Sequence, residues 1–163
     1  MKEISLTQGQ VALVDDEDYE WINQWSWCAG LSRKTGDFYA KGWGGTGRMT
    51  SIHRIVMNAE VGDEVDHQNH NTLDCRKVNL LLTKRSGNAK NTLLRRDNKS
   101  GVCGVTWHKR TKKWVAKIMV DGKSKHLGYF ITLGAATFAR KAANCQYGFH
   151  INHGQPKEKQ WLN

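Results

Sequence analysis

The sequence has no C-x-x-C pair, and no run of about eighteen apolar residues that could cross a membrane. Its cysteines are spread along the chain, at Cys28, Cys75, Cys103 and Cys145. This spacing argues against a zinc ribbon and against the disulfide framework of a secreted domain, so we expect reduced thiols. The first ten residues lack the apolar core and the cleavage site of a signal peptide. These absences predict a soluble protein of the cytoplasm that has no membrane partner.

Acidic residues are scarce in the second half of the chain. Residues 84–126 carry thirteen Lys or Arg against two acids, whereas residues 1–30 carry one base against six acids. The whole chain of 163 residues has a formal net charge of +10. A strongly electropositive surface attracts phosphates. We therefore expect a face for nucleic acid in the second half.

Short strands and helices alternate in the first half. EISLTQGQVALVD alternates apolar and polar residues on both sides of Gln8 and Gly9, which predicts a β-hairpin. DDEDYEWINQW begins with acids suited to a helix N-terminus and has its apolar residues at helical spacing. Two further strands are expected at residues 25–28 and 38–43. SIHRIVM, residues 51–57, fits either a short amphipathic helix capped by Ser51 or a strand.

The stretch EVDHQNHNTLDCRKVNL, residues 64–80, is a long polar loop that follows a strand. LLLT then predicts a short strand, and KRSGNAKNTLLRR predicts a polar helix that Thr83 could cap. Asp66 and His67 are consecutive, so their side chains point to opposite sides of a strand. At a strand end, one of them can hold a hard cation while the other activates a water molecule.

DHQNHNTLDCRKVNL, preceded by IHRIVMN and followed by TKRSGNAKN, resembles the HNH nucleases of the ββα-metal type, in particular the phage homing-endonuclease branch. The resemblance covers residues 48–92. It implies that Asp66 and Asn88 hold one divalent cation, Mg²⁺ or alternatively Mn²⁺. It also implies that His67 is the general base, and that Asn79 pins the loop and orients His67.

Three positions depart from the family pattern: His70 stands in place of glycine, Cys75 in place of asparagine and Leu81 in place of arginine. At His70 the alternatives are a strained backbone and an added phosphate or metal contact, and its role stays open. His53 is expected to be a structural histidine, with an auxiliary phosphate contact as the alternative. Cys75 is not expected to bind a metal, because no second soft ligand lies at suitable spacing.

Three strand-like runs, VCGVTWHKR, KKWVAKIMV and SKHLGYF, precede a helical pattern that Gly148 could end. They predict a three-stranded antiparallel sheet packed on one helix. Alternation places Val105, Trp107 and Trp114 on the inner face, together with Ala116, Ile118 and Val120. It turns the following residues outward or to the rim: Thr106, His108, Arg110, Lys113, Val115, Lys117 and Met119.

SGVCGVTWHKRTKKWVAKIMVDGKSKHLGYFITLGAATFARKAA resembles the Apetala-type DNA-binding domain of plant ethylene-response factors and phage homing nucleases. The resemblance implies that Thr106, His108, Lys117, Met119 and His126 face DNA. The plant domains have mostly arginines and a tryptophan where this chain has Thr106, Met119 and His126, so base specificity does not transfer.

We therefore expect an α+β protein with an HNH nuclease domain, preceded by N-terminal β-hairpins, in residues 1–92. A linker at 93–100, an Apetala-type domain at 101–154 and a tail at 155–163 should follow. The expected activity is metal-dependent hydrolysis of double-stranded DNA, by nicking or at preferred sites, by a monomer or homodimer. If the gene is carried by a phage, the location is the host cytoplasm. The first alternative is a DNA-binding protein with a silent HNH fold. An RNA-binding protein ranks last.

Overall fold

A computed structural model of the chain describes residues 1–33, 35–45, 47–83 and 89–156. The chain divides into two compact units, Met1–Asn88 and Ala89–Asn163. The described residues combine small antiparallel sheets with few helices, which confirms the expected α+β class. In the described part of the chain, no helix has the length and apolar character needed to cross a membrane.

The first unit opens with the predicted hairpin, formed by strands β1 (Lys2–Ser5) and β2 (Val11–Val14). Its turn uses left-handed backbone at Gln8 and Gly9. Alternation sends Ile4, Ala12 and Val14 into the core of the unit, where all three are buried. The period-two pattern of the sequence therefore fixes which face of the hairpin is covered.

The next elements surround the same core. They are helix α1 (Asp16–Ile22), strands β3 (Trp27–Leu31), β4 (Phe38–Gly42) and β5 (Thr50–Ser51), and helix α2 (Ile52–Val56). The three strands form one sheet in the order β3-β4-β5. Residues 51–57, for which the sequence fits either a helix or a strand, are thus mainly helical. Ser51 occupies the N-cap position of α2, but in the described structure its side chain makes no capping hydrogen bond.

Strands β6 (Glu64–His67) and β7 (Leu80–Thr83) form an antiparallel pair on either side of the polar loop. The loop is tied to β2, because the Leu13 N–H donates to the Leu73 carbonyl and the Cys75 N–H donates to the Leu13 carbonyl. Leu73 and Cys75 are consequently buried in the core of the unit.

The α-helix predicted for residues 84–96 is not formed by residues 89–96, so that part of the prediction is wrong. Residues 84–88 lie outside the described part of the chain. Ala89–Asn91 form a single 3₁₀ turn and residues 92–96 are not helical. The Thr92 carbonyl instead accepts from the Gly154 N–H, and the Leu94 N–H donates to the Gln155 carbonyl. These tertiary hydrogen bonds override local helix propensity.

The second unit contains the predicted sheet and helix. Strands β8 (Val105–His108), β9 (Lys113–Val120) and β10 (Lys123–Phe130) form one antiparallel sheet in the order β10-β9-β8. Helix α3 (Leu133–Gln146) packs on it and is capped by Thr132, whose side chain accepts from the Ala135 N–H at 3.2 Å. The helix ends before Gly148, which has a positive φ of 64°, as the sequence predicts.

Two expectations about the faces of this sheet need correction. Trp107 lies on the inner side against Trp114, with ring centroids 5.2 Å apart, but it is 47% exposed. It belongs to β8, an edge strand that has a neighbouring strand on one side only. Val115, expected to be exposed on the outer face, is only 4% exposed.

Candidate functional site

Asn79 closes the polar loop between β6 and β7. Its side-chain oxygen accepts from the Asn69 N–H at 2.9 Å, and its amide donates to the Asp74 carbonyl at 2.8 Å. Its backbone carbonyl also accepts from the Gln68 N–H at 2.9 Å. This buried side chain therefore joins both ends of the loop. The loop-pinning geometry is the one expected of Asn79, and its part in orienting His67 stays a prediction.

Asp74 forms a second fixed point of the loop and was not predicted from the sequence. Arg76 donates to both of its carboxylate oxygens at 2.7 Å, and the Asn69 amide donates to one of them at 2.9 Å. Burial by itself would raise the pKa of Asp74, but the hydrogen bonds from Arg76 and Asn69 lower it overall. A charged, fully bonded carboxylate thus holds the loop from inside.

His67, the expected general base, is the last residue of β6 and is only 6% exposed. Burial lowers its pKa to about 4, although the nearby Asp74 charge acts in the opposite direction. The imidazole is therefore neutral at pH 7 and has a lone pair that can accept a proton.

His53, in α2, packs against His67 with ring centroids 4.9 Å apart. It is 9% exposed, and burial together with the neighbouring His67 lowers its pKa to about 3. Tyr39 of β4 contacts both rings edge to face, at 5.8 Å from His53 and 6.3 Å from His67. Sequence reasoning missed Tyr39, because nothing in its local pattern shows that β4 passes the histidines. These contacts agree with the structural role expected for His53 and do not test an additional phosphate contact.

Cys75 completes this buried group. Ligand atoms of His53, His67 and Cys75 all lie within 4.8 Å of one another. Burial raises the pKa of the Cys75 thiol to about 12, so the thiol is protonated at neutral pH. Sequence spacing offered no companion ligand for Cys75, whereas the fold places two imidazoles beside it. All four cysteines are free.

Asp66, the first expected cation ligand, lies outside this buried group. Asp66 stands opposite Leu81 in the β6–β7 pair and is partly exposed, while the adjacent His67 is buried. The two side chains thus lie on different sides of β6, as strand geometry requires. Asn88, the second expected ligand, lies outside the described residues.

His70 has a φ of 63°, the left-handed region that glycine adopts without strain. Its N–H donates to the His67 carbonyl at 2.9 Å, so this conformation closes the turn directly after the expected base. The departure from glycine therefore does not prevent the turn from forming.

The outer face of the second unit brings together six of the seven residues expected to bind DNA. Strand register places Thr106 beside Val115, His108 beside Lys113, and Lys117 beside His126. The six residues that share this face are Thr106, His108, Lys113, Lys117, Met119 and His126. Arg110 lies in the exposed turn between β8 and β9.

Tyr129 also lies on this face, and alternation alone does not predict it. The register shifts between His126 and Gly128, so a bulge turns Tyr129 to the same side as His126. The Tyr129 ring lies 4.8 Å from His126 and 5.7 Å from His108. Tyr129 is the cross-strand partner of Val115, which is buried. A glycine inside a strand pattern was the available signal for the bulge.

Comparison with protein-family models, with curated proteins and with solved structures finds no match for this chain.

Proposed function

We propose that the chain is a metal-dependent DNA endonuclease of the HNH type. The observation that carries the proposal is the placement of His67: a neutral imidazole at the end of β6, beside a loop that Asn79 and Asp74 hold by hydrogen bonds. Phosphodiester hydrolysis requires a base that removes a proton from the attacking water. A neutral histidine at a strand end, beside a fixed loop, can act as that base.

The chemistry assigns one role to each residue. His67 accepts the proton of the attacking water and later returns it to solvent. The carboxylate of Asp66 and the amide oxygen of Asn88 match the hard oxygen ligands preferred by Mg²⁺ and Mn²⁺. When bound, such a cation supplies positive charge that stabilises the developing charge on the phosphate and on the leaving oxygen. Asn79 holds the loop without touching the reacting atoms.

The outer face of the second unit is proposed to bind double-stranded DNA. Lys113 and Lys117 project from β9, and Arg110 lies in the adjoining turn, where all three are exposed. These cations suit phosphates at the edge of a groove. Thr106, His126 and their neighbours on the face offer hydroxyl and imidazole groups for base edges in a major groove. A monomer of this design would nick one strand, and a homodimer would make paired nicks.

Incubation of the purified chain with supercoiled plasmid, with and without Mg²⁺ or Mn²⁺, tests the proposal. His67→Ala should reduce the cleavage rate at least about a hundredfold, the loss typical for removal of a general base. DNA affinity should not change. Lys117→Ala is the matched variant in the other unit: it should weaken salt-dependent DNA binding and lower the salt slope by about one. Metal-dependent cleavage that survives in His67→Ala would disprove the assignment of the base.

A DNA-binding protein with a silent HNH fold is the second candidate. The burial of His67 against His53 and Tyr39 favours it, because a base must be reached by its substrate. This candidate predicts tight, salt-sensitive binding without metal-dependent cutting. RNA binding explains the charge but gives Asp66 and His67 no role.

A further inference from the structure

We propose that His53, His67 and Cys75 form a second metal site, which binds a thiophilic ion such as Zn²⁺. The site differs in chemistry from the Asp66 and Asn88 pair, whose oxygen ligands suit Mg²⁺. Two imidazole nitrogens and one thiolate are ligands that Zn²⁺ prefers and that Mg²⁺ does not.

The geometry brings the three side chains together from separate parts of the first unit. His53 comes from α2, His67 ends β6, and Cys75 lies in the polar loop between β6 and β7. Their ligand atoms lie within 4.8 Å of one another. Tetrahedral Zn²⁺ with ordinary bond lengths needs ligand atoms about 3.4 to 3.7 Å apart. Side-chain movements of about 1 Å would therefore close the group around an ion.

The protonation states also suit a metal. An imidazole in its neutral form binds a metal ion through a ring nitrogen without losing a proton. The Cys75 thiol releases one proton to solvent as the metal–sulfur bond forms. Within the described residues, the His53 Nδ1 atom is buried and makes no hydrogen bond, so metal binding there would break none. Water or an exchangeable anion would occupy the fourth position.

Occupation of this site has a functional consequence that rests on the proposed nuclease activity. Zn²⁺ bound to His67 takes the lone pair that would accept the proton from water. The ion would therefore inhibit Mg²⁺-dependent cleavage, and a chelator selective for Zn²⁺ would restore it. The site would thus couple the activity to thiophilic metal ions.

Titration of the reduced full-length chain with Co²⁺ under anaerobic conditions tests the site without DNA. A sulfur-to-cobalt charge-transfer band in the near ultraviolet should saturate at one ion per chain, and Zn²⁺ should remove it. Cys75→Ser should abolish the band, whereas the control Cys28→Ser should retain it. His53→Gln, with folding checked by circular dichroism, should weaken Co²⁺ binding at least tenfold.

The outcomes separate this proposal from the nuclease proposal. No charge-transfer band, a band that persists in Cys75→Ser, or unchanged affinity in folded His53→Gln would overturn the metal site. If Cys75→Ser does not fold, the His53→Gln titration decides. A cobalt band in a protein that cuts no DNA would support the site and reject the nuclease. Mg²⁺-dependent cleavage without a cobalt band would support the nuclease and reject the His53, His67 and Cys75 metal site.

Discussion

The two buried histidines should make the first unit sensitive to mild acid. Burial lowers the pKa of His53 to about 3 and that of His67 to about 4, from the ordinary value of 6.5. In the unfolded chain both groups regain an ordinary pKa. Between about pH 4 and pH 6.5 the unfolded state therefore binds more protons than the folded state. The free energy of unfolding must fall as the pH falls through this window.

The size of the effect follows from the two pKa values. At pH 5 the unfolded chain carries about two protons on these histidines, and the folded chain carries almost none. Linkage then gives a slope of about 2.6 kcal/mol per pH unit. Between pH 6.5 and pH 5 the unit should lose about 3 kcal/mol. This is a large part of the stability of an ordinary small domain.

Urea denaturation at a series of pH values, followed by tryptophan fluorescence, measures the slope. His53→Gln and His67→Gln should each reduce the contribution of the pair by about half, to roughly 1.3 kcal/mol per pH unit. Tyr39→Phe keeps the aromatic ring that contacts both histidines, so it should leave the slope unchanged. A slope that neither histidine substitution alters would show that these imidazoles are not held neutral by burial.

One substitution in the first unit and a pair of substitutions in the second unit test their packing. Asn79→Ala removes both side-chain hydrogen bonds that close the polar loop. It should lower the free energy of unfolding, measured by urea titration, by about 2 kcal/mol or more. A loss below about 0.5 kcal/mol would contradict the role of Asn79 in the loop. Gly104→Ala and Gly101→Ala both place alanine at a φ near 74°, but only at Gly104 would the new Cβ collide with Arg140 and the Lys117 carbonyl. Thermal unfolding should therefore show a clearly larger loss for Gly104→Ala, and equal losses would refute the clash.

Local pattern was enough to predict most of the strands. The β1–β2 hairpin and the three strands of the second unit have period-two alternation and turn residues, which act within a few positions. The prediction of a helix after Thr83 was wrong for residues 89–96, and the reason lies outside the local pattern. Thr92 and Leu94 bond to Gly154 and Gln155, about sixty residues further along the chain. No local pattern contains that information.

The residues of the candidate site were likewise only partly predictable from the sequence. Asp66, His67 and Asn79 stand in one short motif, so their spacing was visible in the sequence. The neighbours of His67 come from other elements, and only the fold shows that His53 and Cys75 are adjacent to it. A sequence rule about ligand spacing could not detect this group, because its members are brought together by packing of the core.

The acidic residues at the start of the first helix hold the polar loop in place. The Asp15 carboxylate accepts from the Lys77 N–H at 2.7 Å, and the Lys77 ammonium lies 3.0 Å from buried Asp18. These contacts anchor the polar loop to α1, while Leu73 and Cys75 anchor it to β2. The acids are thus used to hold the loop that follows His67. A loop fixed on both sides needs little rearrangement to present its groups, so loss of His67 should appear in the rate of the chemical step and not in DNA affinity.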